Sequence, residues 1–550
     1  MKRIFLFLIA IFCFYNSQAQ LLSGKKEYTR KDSLRGTLFE ERSCFDARKY
    51  TLNLSVDIAK KYLSGSVIMK LKAVADFQKI QLDLYKEMDV EKVMMGSLQL
   101  MHERFDNHFY ILFPTKIEKG KEIEIEVFYS GSPIAAKNAP WDGGFVWTKD
   151  KKDFDWVGVA CEGDGASLWW PCKDHWSDEP EEGAVMNFSV PKGFMAVSNG
   201  ILTKMDTAKM GQSTFHWSVK SPINIYNINL SIGKYVRFNE LYPSEETQLP
   251  LLLDYWVLDY NLEKAKKQFA VVPEMMACFE SKFGRYPFYE DGYKLVETPY
   301  LGMEHQSAIA YGNKYQKGYF GNTKFTGGYE FDYIIIHESG HEWFGNNITA
   351  ADPADMWIHE AFTTYSESVY VECLYGKDKA VQYINNNRAR IQNKEAIQGD
   401  YGVAKEGDGE MYQKGSLFIN TLRHTIDNEA IWSAILKDMN DVFRHKTVHY
   451  KDIVAFFSKK SGMNLEPLFH QYVQKAPVPE LKIHEKKSKN GKVLLTLSWD
   501  KTDKNFEMPI YILEGEKQQK FVVKSNKKSQ IEVSENYKVN QDFGFFTIKK

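Results

Sequence analysis

The stretch Tyr333-Ile334-Ile335-Ile336-His337-Glu338-Ser339-Gly340-His341-Glu342-Trp343-Phe344 decides the reading of this chain. Its apolar spacing predicts a helix, and on a helix His337 and His341 stand one turn apart on the same face. Both imidazoles therefore reach a single ion. Glu338 lies about 100° further round, beside that ion but aimed differently, which suits a general base better than a ligand. A catalytic zinc takes three protein ligands and keeps one position open. The third ligand is expected from a second element. Glu360, nineteen residues after His341 in Trp357-Ile358-His359-Glu360-Ala361-Phe362, falls in the first turn of the next predicted helix. The turn-rich connection 346–353 allows an antiparallel return that brings it to the pair. His359 is a rival ligand. Adjacent helix residues diverge by about 100°, so one of the two reaches the ion. Glu367 faces the same way as Glu360, and it is expected to accept the free N–H of a zinc histidine.

Outward from this centre the pattern changes twice. Alternating apolar and polar runs at 50–57, 67–74, 80–84, 123–128, 184–190, 214–219 and 223–232 predict strands, with Ser198-Asn199-Gly200 among the turns. Helical spacing then covers 264–283, 329–346, 356–375, 377–398 and several segments between 415 and 475. Pro477 and Pro479 end that block, and strand-like runs return from 493 to 548. The expected division is an N-terminal β-domain at 20–240, a mostly helical α+β catalytic domain at 241–478 and a small C-terminal β-domain at 479–550.

Composition narrows the function. The chain has 550 residues, with 71 Lys+Arg against 72 Asp+Glu and a net charge of −1. A nucleic-acid partner calls for a basic excess, so none is expected. Hydrophobic residues at 43% and charged residues at 26% are those of an ordinary globular protein. Lys2 and Arg3, the apolar run 4–15 and Ser17-Gln18-Ala19 read as an export signal, 1–19, cleaved before Gln20. That places the mature chain in the periplasm or outside the cell. The run is too short to span a bilayer, which takes about 20 residues, and no later segment reaches that length. Six cysteines, Cys13, Cys44, Cys161, Cys172, Cys278 and Cys373, are too sparse for a disulfide framework, although Cys161 and Cys172 are close enough in sequence to pair. Composition does not set an oligomeric state.

With HExxH and the later glutamate in place, the chain resembles the aminopeptidase N-like gluzincin zinc aminopeptidases, the group that also holds the leukotriene hydrolases. His337, Glu338, His341 and Glu360 fit that family's metal spacing. Gly302-Met303-Glu304-His305 looks like its exopeptidase motif, and Met411-Tyr412-Gln413-Lys414-Gly415 like its Tyr-x-Lys-Gly segment. Trp170-Pro171-Cys172-Lys173-Asp174, running to Asp178-Glu179-Pro180, is similar to its N-terminal-domain signature, and Ile225-Tyr226-Asn227 is a fainter echo. The resemblance implies an N-terminal β-sandwich or saddle, a thermolysin-like catalytic domain and one Zn2+ per chain. It implies that Glu304, together with Glu162, binds a substrate's free α-amine beside Gly302 and Met303, and that Tyr412 steadies the oxyanion. The sequence departs from the pattern at Leu301, His305, His359 and Ala361. About 70 β-like residues stand where the family has a large helical C-terminal domain that closes the substrate cavity.

The implied function is zinc-dependent removal of N-terminal amino acids from peptides, with Glu338 as base. Two other readings are an endopeptidase or epoxide hydrolase on the same scaffold, and an exported binding protein that keeps the fold. Blocked substrates separate the first. The joint presence of His337, Glu338, His341, Glu360 and Tyr412 weighs against the second, because binding alone does not need all five.

Overall fold

The computed structural model describes residues 27–207, 211–243, 249–488 and 491–550. The expected signal 1–19 and Cys13 lie outside the described residues. Near the N-terminus a ten-stranded sheet runs from the edge strand Ile201–Asp206, through Phe45–Asp57 and Tyr62–Ala73, to the edge strand Phe77–Asp83. Phe45–Asp57 alternates buried and half-buried side chains along most of its length, the signature of a one-sided sheet. A four-stranded sheet, including Gly144–Lys149 and Asp155–Ala160, joins its core. The run 223–232, read as a strand, is mostly something else. Pro222 precedes it, and Asn224 accepts a hydrogen bond from the Tyr226 N–H to start a 3-10 turn at Ile225–Asn227; the strand here is the short Ser231–Gly233.

A mixed five-stranded sheet follows, in the order Tyr235–Tyr242, Leu251–Leu258, Tyr293–Glu297, Ile309–Tyr311, Gly302–Met303. The expected boundary at 240/241 thus falls inside a strand of this sheet. Gly302–Met303 is its edge, and helix Tyr333–Gly340 packs beside it. The expected helix 264–283 is two, Leu262–Phe269 and Val272–Phe283, because Pro273 is placed to begin a helix rather than to continue one. The expected helix 377–398 stops at Asn385, followed by the 3-10 turn Asn386–Arg390. Cys278 on Val272–Phe283 is bonded to Cys373 near the end of helix Trp357–Tyr375. Cys161 and Cys172 stay unpaired and buried: Cys172 is held by backbone hydrogen bonds to Asp83, and the Cys161 thiol faces the Tyr226 carbonyl.

The last residues form a four-stranded and a three-stranded sheet. They brace helix Gln413–Ile426, which begins directly after Tyr412. Tyr511 Oη donates to the His424 carbonyl at 2.9 Å, and the Phe545 N–H donates to Thr421 Oγ1 at 3.1 Å. At the other end, helix Arg30–Gly36 ties the β-domain to the catalytic domain. Buried Arg42 donates to the Leu34 carbonyl at 3.0 Å and to Asp83 at 3.0 Å. Arg35 donates to the Gly163 carbonyl at 2.7 Å, and Thr37 Oγ1 to the Gly402 carbonyl at 2.8 Å.

Candidate metal centre

Asp332 caps helix Tyr333–Gly340, its carboxylate accepting from the Ile334 and Ile335 N–H groups. The expected helix to 346 does not persist as an α-helix. A wider turn spans Glu342–Asn346 and carries Gly345 at φ 133°, a conformation suited to glycine. That turn swings the Phe344 carbonyl back to His341, whose Nδ1–H donates to it at 3.1 Å. His337 Nδ1–H donates to Glu367 at 2.7 Å, and Tyr383 Oη donates to the other oxygen of Glu367. Each histidine thus spends Nδ1 on a fixed acceptor and is left with Nε2 free.

Both free Nε2 atoms point at one oxygen. His337 Nε2 and His341 Nε2 each lie 3.5 Å from Glu360 Oε2. That oxygen is buried and has no hydrogen-bond partner among the described residues. Tetrahedral zinc with ligands at about 2.0–2.2 Å separates its donors by about 3.3–3.6 Å. Two imidazoles and a carboxylate at this spacing therefore fit one Zn2+. Burial works to raise the Glu360 carboxyl, and the histidines overcome it, holding it below the usual carboxylate range. His359, the rival ligand, faces away: its Nε2 accepts the Ala350 N–H at 2.7 Å and its ring stacks on Trp176. The helix turn of about 100° between neighbours separates the two roles.

Glu338 and Glu304 stand against this triad, each with an oxygen within 4.8 Å of a common His341 nitrogen and of each other. Burial pushes the Glu338 carboxyl up to about 7, with the two histidines opposing it. Gly302 makes room: a Cβ there would sit 2.8 Å from Glu338 Oε1 and 2.7 Å from Ile334 Cγ2. Its neighbour Met303 is buried on the same edge strand. Tyr226 Oη donates to Glu304 at 3.2 Å. Glu162 arrives from the β-domain, on the loop that Arg35 holds through Gly163. Burial and the nearby Glu304 carboxylate raise its pKa well above the ordinary range. Tyr412 stacks on His337 at 6.0 Å, and its hydroxyl lies in the field of Glu360.

The structure thus gathers Glu162, Gly302, Glu304, His337, Glu338, His341, Glu360, Glu367 and Tyr412 around one point, with Met303 buried next to Gly302 on the edge strand. Sequence reasoning passed over Trp176 and Tyr226 as members of the site. Both lie inside the signature segments quoted above, and that was the signal available.

Residues 267–472 match the Peptidase family M1 domain. Aminopeptidase B of Mus musculus is 26% identical over 304 residues, 51% of this chain and 43% of that protein. Leucine aminopeptidase 2 of Lodderomyces elongisporus is 23% identical over 341 residues, 60% of this chain and 48% of that protein. The chain spans about half the length of the curated relatives it matches. An M1 zinc metallopeptidase structure from Deinococcus radiodurans superposes with a TM-score of 0.68 at 20% identity, over 79% of this chain and 95% of that one. The fold is therefore that of an M1 metallopeptidase. The match to the Peptidase family M1 domain spans 267–472, and the His337–His341–Glu360 triad lies inside it.

Proposed function

We propose that the protein is a zinc-dependent aminopeptidase that removes N-terminal residues from peptides. The observation that carries this reading is the buried Glu304 carboxylate beside Glu338 and His341. A site that only hydrolyses has no use for a second acid there. A site that must recognise –NH3+ does, because a fixed carboxylate rewards chain ends and penalises blocked or internal residues. Zinc, when bound, lowers the pKa of a water and polarises the scissile carbonyl. Glu338 takes the water's proton and delivers it to the leaving amine. Glu304 and Glu162 receive the α-amine and so set the scissile bond one residue in. Tyr412 offers its hydroxyl to the developing oxyanion. Glu367 holds His337 in the tautomer that leaves Nε2 free. Digestion of an unblocked hexapeptide, followed by mass spectrometry, tests the reading. A ladder shortened from the N-terminus is expected; internal cuts would replace it with an endopeptidase.

We also propose that the chain is exported. The Lys2-Arg3 start, the apolar run and Ser17-Gln18-Ala19 support this, and a Cys278–Cys373 disulfide suits an oxidising compartment. None of the helices of the described residues is long and apolar enough to cross a membrane. N-terminal sequencing of the protein recovered outside the cytoplasm should begin at Gln20; a protein retaining Met1 and found in the cytoplasm would refute export.

A further inference from the structure

Three aromatic rings from three segments meet behind the two amine-binding glutamates. Trp176 stacks on Tyr226 at 5.1 Å and on His359 at 5.2 Å, the latter with planes only 6° apart. Trp176 and His359 are buried, and the Asn224 side chain fixes the Trp176 carbonyl at 3.2 Å. The Tyr226 hydroxyl donates a hydrogen bond to Glu304 at 3.2 Å. His359 faces the other acid.

We propose that the Tyr226–Trp176–His359 stack positions the amine anchor, with His359 acting through Glu162. The argument starts from the backbone. The Ala350 N–H donates to His359 Nε2 at 2.7 Å, so Nε2 carries no proton and the neutral ring holds its proton on Nδ1. Parallel stacking on Trp176 fixes the ring plane and hence the direction of that N–H. Glu162 Oε1 lies 4.0 Å from that nitrogen. Neither His359 Nδ1 nor Glu162 Oε1 has a hydrogen-bond partner among the described residues. Closing that gap by about 1 Å would bring the pair within hydrogen-bond range. Glu304, Glu360 and Glu338 are like-signed neighbours of Glu162. A neutral donor at Nδ1 is thus what steers this carboxylate toward an arriving amine without competing with it as a cation would. Tyr226 does the same for Glu304, and Trp176 ties the two supports across the domain boundary.

This inference rests on the aminopeptidase reading, and the test keeps the two apart. KM and kcat for a leucyl-arylamide are measured with zinc content, alongside the Kd of L-leucinol, an amine ligand that needs no turnover. His359→Asn keeps a donor near the Nδ1 position; His359→Gln keeps an acceptor near Nε2 and loses that donor. Full zinc is expected in both. For His359→Gln, KM and the leucinol Kd should rise about tenfold with kcat within about twofold, the loss of one hydrogen bond to a charged group. His359→Asn should stay within about threefold of the parent. In a Glu162→Ala background, His359→Gln should add nothing. A wild-type Kd in His359→Gln, or a tenfold loss that persists without Glu162, would overturn the proposal. Absence of turnover by the parent would sink the aminopeptidase reading alone, since the Kd cycle is still read.

Discussion

His337, His341 and Glu360 come from two successive α-helices, His341 at the C-cap of the first, linked by the segment 342–356, whereas Glu162, Trp176, Tyr226 and Glu304 come from loops and strand edges of two domains. In the first region local geometry does most of the work. A helix sets the spacing of the histidines, a cap at Asp332 starts it, and each Nδ1 is satisfied within the same domain. In the second region no local rule applies. The acids are brought together by tertiary packing, and rings stacked across the domain junction hold them. The two regions should therefore fail differently. Damage to the metal region should remove catalysis or zinc, and damage to the anchor region should remove preference for a free amine while zinc stays.

The largest effect is expected at Glu338. Glu338→Gln should fold, bind zinc and lose about 100- to 10,000-fold in kcat, read by arylamide hydrolysis with metal analysis. A variant near wild-type activity would remove Glu338 as the base. Tyr412→Phe comes next, at about 100- to 1,000-fold in kcat with little change in KM, because the donor it loses acts on the oxyanion. Should KM rise and kcat hold, Tyr412 would belong to the anchor region instead. Glu367→Ala leaves His337 without the acceptor of its Nδ1–H, and a 10- to 100-fold fall in zinc affinity is expected by competition with a chelator. Unchanged affinity would show that Tyr333, 3.2 Å from the same nitrogen, suffices. The smallest of these effects is at Tyr226→Phe. Loss of one donor to Glu304 should raise KM for free-amine substrates by about 3- to 10-fold with zinc and kcat preserved. A drop in zinc content instead would break the distinction between the two regions.

The same contrast explains what the sequence disclosed. Residues four apart on a helix must share a face, so His337 and His341 were legible without any structure, and the need for a third ligand pointed to the His359–Glu360 pair. The choice between His359 and Glu360 was not legible, because it depends on Ala350 and Trp176, which sit on other segments. Glu304, Glu162 and Tyr412 were legible only through resemblance, since nothing in local spacing assigns an isolated acid or tyrosine. Six strands of the β-domain followed from alternation, while others such as Met88–Met95, His108–Ile117 and Gly144–Lys149 did not, and 223–232 misled because Asn224 supplies a local cap that competes with extension. The Cys278–Cys373 bond was hidden for the same reason as the anchor: the cysteines are 95 residues apart and meet only when two helices pack.

One measurement bears most directly on the claim that a zinc triad and an amine anchor share this cleft. The mature protein is given a panel of aminoacyl-arylamides and their N-acetyl counterparts, with and without a zinc chelator. The account predicts cleavage of the free-amine members only, abolished by the chelator and restored by added Zn2+. Equal cleavage of acetylated and free substrates, or activity that survives complete removal of zinc, would contradict it.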